Sequence, residues 1–236
     1  IGGYSAYEGI YTMMTERDRY PAFRIPTVCI PASIDNNLPG SELSIGTDTA
    51  LNVIVEAMDK IKESGIASRR CFVVETMGRD CGYLALMSGI AAGAERIYTN
   101  EDGISLDDLA NDVHWLRESF AHGRRLFLAV RNENASHNYT TDFIARLLEE
   151  ESHGMYDVRQ VVLGHMQQGG SPSPFDRLLA NRLGYRALNL IDDELAAHQD
   201  GSWFIGVNES GMRPCSMDTM PLSLIHISEP TRLRRI

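Results

Sequence analysis

The chain has 236 residues, enough for one large domain or two modest ones with a sizeable buried core. Hydrophobic residues make up 43% and charged residues 23%, with no low-complexity tract, a balance that excludes a disordered or fibrous chain. The net charge of -10, from 22 Lys and Arg against 32 Asp and Glu, opposes nonspecific attraction to nucleic acid or an anionic membrane, so any anionic ligand needs a local arginine cluster.

The start, IGGYSAYEG, has neither a basic n-region nor an initiating Met, and it reads as the interior of a longer chain rather than as a signal peptide. Short apolar runs with β-branched residues then alternate with segments of helical period, the pattern of an α/β fold with a parallel sheet covered by helices on both faces. Strands are expected over 27–30, 71–75, 126–130, 160–163 and 203–207. A helix over 48–62 places Leu51, Ile54, Val55, Met58 and Ile61 on one face. Ser105 followed by Asp108 has the form of a helix cap, ahead of an apolar stripe of Leu106, Leu109, Val113 and Leu116. Two more helices are expected over 139–150 and 175–195. The longest weakly polar stretch, GYLALMSGIAAGA, falls well below the roughly 20 residues that span a bilayer. Cys29, Cys71, Cys81 and Cys215 are widely spaced with no CxxC, which argues against a zinc site or a disulfide framework and for a reducing cytoplasm.

In such folds ligands sit at the carboxyl ends of strands, and four informative loops occupy those places. They are ASIDNNLPGSE (32–42), TMGRDCG (76–82), RNEN (131–134) and GHMQQGGSPSPFDR (164–177). In the first, Ser33, Asp35, Asn36 and Asn37 beside a Pro39-Gly40 turn fit two readings. One is a set of turn residues bonded to nearby backbone; the other is a carboxylate that takes a proton during phosphoryl transfer. In the second, Gly78 frees the backbone, Arg79 supplies a cation, and Gly82 opens a helix whose amides could face an anion. Solvated surface arginine is the plain reading of Arg70 and Arg159. If residues 159–165 continued as one strand, Arg159 and His165 would lie roughly 20 Å apart at about 3.3 Å per residue. Either the chain bends at Gly164, or the two residues serve different sites.

These loops, in this order and spacing, resemble the 6-phosphofructokinase family over residues 1–221, most closely the C-terminal regulatory half of eukaryotic-type, ATP-using enzymes. The match rests on IDNNLPGSE with SIGTDTALN, on ETMGRDCGYLALMSGIAAGA and on VLGHMQQGGSPSPFDR. It implies a phosphofructokinase-like fold, incomplete here, and a parent enzyme of glycolysis that uses Mg2+ and ATP to phosphorylate fructose 6-phosphate. Asp35 falls on the family's catalytic base, Ser33 on a position near the transferring phosphoryl group, and Arg79 on a catalytic and sugar-phosphate position. Met77, Gly78, Glu133, Arg159, His165 and Gln168 match the remaining sugar-phosphate positions. Arg70 matches an arginine that, with the one at Arg159, reaches into the adjacent subunit, which implies a homo-oligomer or pairing with a catalytic half.

The departures fall on the nucleotide side. The family's GGDGS loop reads Gly2-Gly3-Tyr4-Ser5-Ala6 here, leaving Gly2, Gly3 and Ser5 as a nucleotide-loop remnant with a phenol in place of the metal-associated carboxylate. Asn37 replaces a second carboxylate and Gln168 replaces an arginine near the transferring phosphoryl. The resemblance therefore implies a regulatory fructose-bisphosphate-binding segment, with no metal-ligand set of its own and no binding of Mg2+ or ATP by this segment alone. A catalytic unit using Asp35 is the alternative, and a pyrophosphate-dependent relative is disfavoured by Ala32, where such enzymes carry Lys. The resemblance stops near Pro221. Residues 222–236, with Arg232, Arg234 and Arg235 against Glu229, resemble translated sequencing-adapter read-through and are expected to be non-native.

Overall fold

The computed structural model describes residues 1–65, 67–208 and 211–220, so the expected non-native tail lies outside the described residues. The described residues form two compact units, one of Ile1–Thr49 with the described residues between 171 and 220, the other of the described residues between 50 and 170.

The second unit is built on a four-stranded sheet. Its strands are β2 (Arg70–Thr76), β3 (Arg96–Tyr98), β4 (Leu126–Asn132) and β5 (Asp157–Val162), in the order β3-β4-β2-β5 and all parallel. The central pair, β2 and β4, is buried along nearly its whole length, as a parallel sheet covered on two faces requires. Cys71, Val73, Phe127, Ala129 and Val158 share one core with Leu109, Leu116 and Phe120 of α4 (Leu106–Ala121) and with Ile144 and Leu148 of α5 (Thr141–Glu150). The intervening Phe72, Val74, Leu128 and Val130 are also buried and, by strand alternation, face the opposite side. There α3 (Tyr83–Ala92) packs against β2, β3 and β4. The sheet of the second unit thus matches the expected architecture. β3, which the sequence pattern did not separate from the preceding helix, is added at its edge.

The first unit carries α1 (Tyr4–Thr15), β1 (Thr27–Cys29), α6 (Pro174–Ala196), β6 (Ser202–Asn208) and β7 (Gly211–Ser216). β1 pairs parallel with β6, and β7 lies antiparallel on β6 as an edge, a departure from an all-parallel sheet. The long α2 (Thr47–Gly65) begins in this unit. Its first turn is tied to α6 by Asp176, whose buried carboxylate accepts from Gly46 N (2.9 Å), Thr49 N (2.8 Å) and Thr49 Oγ1 (2.5 Å). An acidic side chain at these unpaired amides also complements the helix dipole. The FDR end of the fourth loop is therefore a structural anchor.

Candidate sugar-phosphate site

Because β4, β2 and β5 are parallel neighbours, the loops that leave their carboxyl ends emerge together. This gathers Met77, Gly78, Arg79, Glu133, His165 and Gln168 at one end of the second unit's sheet. Polar side chains fix the loop after β2 from both neighbours. Gly78 N donates to Glu133 Oε1 (3.2 Å), and Met77 N donates to Gln167 Oε1 (3.1 Å). Asn132, fully buried, donates its Nδ2 to Gly78 O (2.8 Å) and Cys81 O (3.1 Å). Gly78 has a φ of 138°, and a Cβ there would meet Cys81 O at 2.5 Å and Asn132 Nδ2 at 2.7 Å, so only glycine fits. Arg79 is then presented at the exposed tip.

Beneath the loop after β4 lies an ion pair that the sequence reading did not single out. Arg131, 2% exposed, stands in register with Glu75 on β2 and bonds its carboxylate at 2.9 Å. Its other donors reach Glu133 O (3.1 Å), Ser136 O (2.6 Å) and Tyr139 O (3.2 Å), holding the segment that carries Glu133. Burial pulls the Arg131 pKa down, and the neighbouring Glu75 and Glu133 oppose the shift. Thr141 closes the cluster through its hydroxyl on Glu75.

Of the two alternatives posed for Arg159 and His165, the chain does bend at Gly164, which adopts a φ of 53° and opens a short 3-10 turn, Gly164–Gln168. His165 and Gln168 are exposed on that turn, whereas Gln167 is buried. Arg159 stays on the strand, bonded to Val158 O (2.9 Å) with Asp157 at 3.9 Å, and it pairs in register with Phe72. Arg70 opens β2 and reaches Ser64 O at 3.4 Å. Over the length of β2, at about 3.3 Å per residue, Arg70 is roughly 20 Å from the loop that carries Arg79. Within the second unit, then, the Arg70 position and the Arg79 loop lie at opposite ends of the sheet.

At the start of α3, Gly82 N donates to Glu101 Oε1 at 2.7 Å, so this one amide is already bonded to a carboxylate of the chain itself.

Ser33 and Asp35 belong to the first unit. There Ser33 Oγ accepts from Asp35 N (3.2 Å), and Asn36, at a φ of 55°, accepts from Ser44 N (3.0 Å) and donates to Glu42 O (2.8 Å). The turn reading of this loop accounts for Ser33 and Asn36. Gly2 bridges to Pro31, Gly3 caps α1, and Ser5 is exposed in its first turn. That turn contains no acidic residue, and the phenol of Tyr4 sits there with its pKa raised by burial and by Glu8. Among the described residues no group of three or more His, Cys, Asp or Glu is placed to hold a metal ion. The first turn of α1 thus offers a phenol and no carboxylate to a magnesium-bound nucleotide, and no phosphoryl-transfer step is derived from it. No helix of the described residues is long and apolar enough to cross a membrane.

The second unit is thus a parallel α/β unit with an arginine, a glutamate and a histidine on three adjacent strand-end loops. Comparison with known proteins assigns the family. A family model described as phosphofructokinase matches residues 1–191, and the chain belongs to that family. The platelet-type ATP-dependent 6-phosphofructokinase of Rattus norvegicus is 46% identical over 207 residues, which are 87% of this chain and 26% of the relative. The muscle-type enzyme of Homo sapiens is 45% identical over 213 residues, 89% of this chain and 27% of the relative. The crystal structure of Pichia pastoris phosphofructokinase in the T-state matches with a TM-score of 0.88 at 36% identity, covering 100% of this chain and 28% of that one. The chain thus spans about a quarter of the length of the curated relatives it matches.

Proposed function

We propose that this chain is the regulatory sugar-bisphosphate-binding segment of an ATP-dependent 6-phosphofructokinase of glycolysis. The observation that carries this reading is the assembly of Arg79, Glu133 and His165 on clamped loops of the second unit, together with a nucleotide-loop remnant in the first unit whose helical turn has no acidic residue. Arg79 and His165 would take the phosphates, Glu133 a sugar hydroxyl, and Met77 and Gly78 the sugar face, with fructose 2,6-bisphosphate as effector. Gln168 stands where a phosphoryl-stabilising cation would be needed for chemistry. Arg70 and Arg159, at or near the far end of the sheet, would complete the site of a neighbouring subunit or half, which makes the parent an oligomer. The cytoplasm is the compartment, a reading supported by the buried free thiols of Cys29 and Cys71.

A second reading, a kinase with Asp35 as base and Ser33 beside the phosphoryl group, is favoured by the retention of Asp35 itself. Calorimetric titration with fructose 2,6-bisphosphate of the wild-type chain and of Arg79→Ala tests the first. Removing one charge-assisted contact, typically about 1.5–3 kcal/mol, should weaken binding by about tenfold to a hundredfold. Equal affinity in the two proteins would return Arg79 to a solvated surface residue.

A further inference from the structure

Gln167 lies between two exposed neighbours, Met166 and Gln168, yet it is 1% exposed. Its amide links two loops. Oε1 accepts from Met77 N (3.1 Å) in the loop after β2, and Nε2 donates to Gly164 O (2.9 Å) at the bend that sets the His165 turn. The orientation of the amide follows from these partners, because a backbone N–H needs the oxygen and a carbonyl needs the NH2. The next amide, Gly78 N, is held by Glu133, so two successive N–H groups are fixed by side chains from two different neighbouring loops. Arg79 follows directly. A shift of the Met77–Gly78 peptide would therefore move the arginine relative to His165 and Glu133.

We infer that Gln167 is a positioning residue for the sugar-phosphate site, fixing the Arg79 loop to the His165 turn, and the inference rests on the sugar-binding reading given above. Without the link each loop would have to be ordered by the ligand at the moment of binding, and that cost would appear in affinity. Gln167 touches no ligand in this scheme and carries no charge.

The test uses the whole chain, fructose 2,6-bisphosphate as probe, and two readouts: binding by calorimetry and amide exchange by NMR. In Gln167→Met, which keeps the length and loses both hydrogen bonds, the Met77 amide should exchange at least tenfold faster. The dissociation constant should rise about tenfold or more, while core amides of β2 and β4 such as Val73 and Leu128 keep their protection. Unchanged affinity with Met77 deprotected, or Met77 protection retained, would overturn the inference. If the variant loses core protection as well, the wild-type chain decides. On titration the side-chain NH2 resonances of Gln167 and the Met77 amide should shift with the same midpoint, and Gln167 resonances unmoved at saturation would overturn the proposal. A wild-type chain that binds no sugar bisphosphate would instead defeat the functional reading itself, and this inference with it.

Discussion

Arg131 and Glu75 form an ion pair in the second unit, and their mutual contact, the Thr141 hydroxyl and the carbonyls around Arg131 offset the cost of its burial. Replacing Arg131 alone with Met strands the carboxylate and frees three loop carbonyls, so chemical denaturation should register a loss of about 3–5 kcal/mol. Converting both residues to Met should recover a large part of it. A double variant as unstable as the single one would show that loop ordering by Arg131, rather than charge compensation, dominates. At this scale the sequence made Arg79, Gly78 and Glu133 legible, because their motif is long and their chemistry obvious. Arg131, Asn132 and Gln167 were not. Gln167 sits beside Gln168, and Asn132 two residues before Asn134, so only burial distinguishes the side chain that holds the backbone from the one that meets solvent.

Helix α4 starts on a full capping box, with Ser105 Oγ accepting from Asp108 N at 3.1 Å and the Asp108 carboxylate accepting from Ser105 N at 2.9 Å. Ser105→Ala should destabilise the protein by about 1 kcal/mol in equilibrium denaturation. The hydrogen bonds from Ser105 hold the Asp108 carboxyl below its ordinary value of 3.8. A folded pKa lowered in this way adds stability above the unfolded value and loses it as pH falls through the folded one, so the Ser105→Ala deficit should shrink at acidic pH. A deficit independent of pH would mean the Asp108 bonds contribute nothing. This cap was visible in sequence because Ser and Asp at that spacing are used for little else ahead of an apolar stripe. The short elements were not visible. β3 has three residues and follows α3 almost without a polar break, and β7 contains Pro214, which an edge strand tolerates but a sequence pattern reads as an interruption. β5 begins at Asp157 rather than at 160, because its exposed edge position lets charged residues extend the strand.

Across the whole molecule, burial shifts several acids in one direction. It pushes the Cys29 thiol up to about 11 and Cys71 well above the ordinary value of 9.0, and it raises Tyr7, Tyr98 and Tyr156 as well. Each group stays neutral in the folded state after the unfolded chain has begun to ionise. Their contribution to stability is therefore complete below about 9 and declines as pH climbs toward 11 and beyond. A melting temperature that falls steadily from pH 9 to pH 11 is the expected result, and a flat profile would mean these groups are solvated.

The fold class and the grouping of the loops after β2, β4 and β5 could be read from the sequence because alternating strands and helices leave few topologies. The division into two units could not, since no linker composition marks Thr49 or Ser171. The central claim is that this chain has kept a sugar site and lost a nucleotide site. Titrating one preparation of it by calorimetry, first with fructose 2,6-bisphosphate and then with Mg-ATP, separates the two directly. Saturable binding of the sugar bisphosphate with no heat from Mg-ATP is the predicted result; saturable Mg-ATP binding, with or without the sugar, would contradict it.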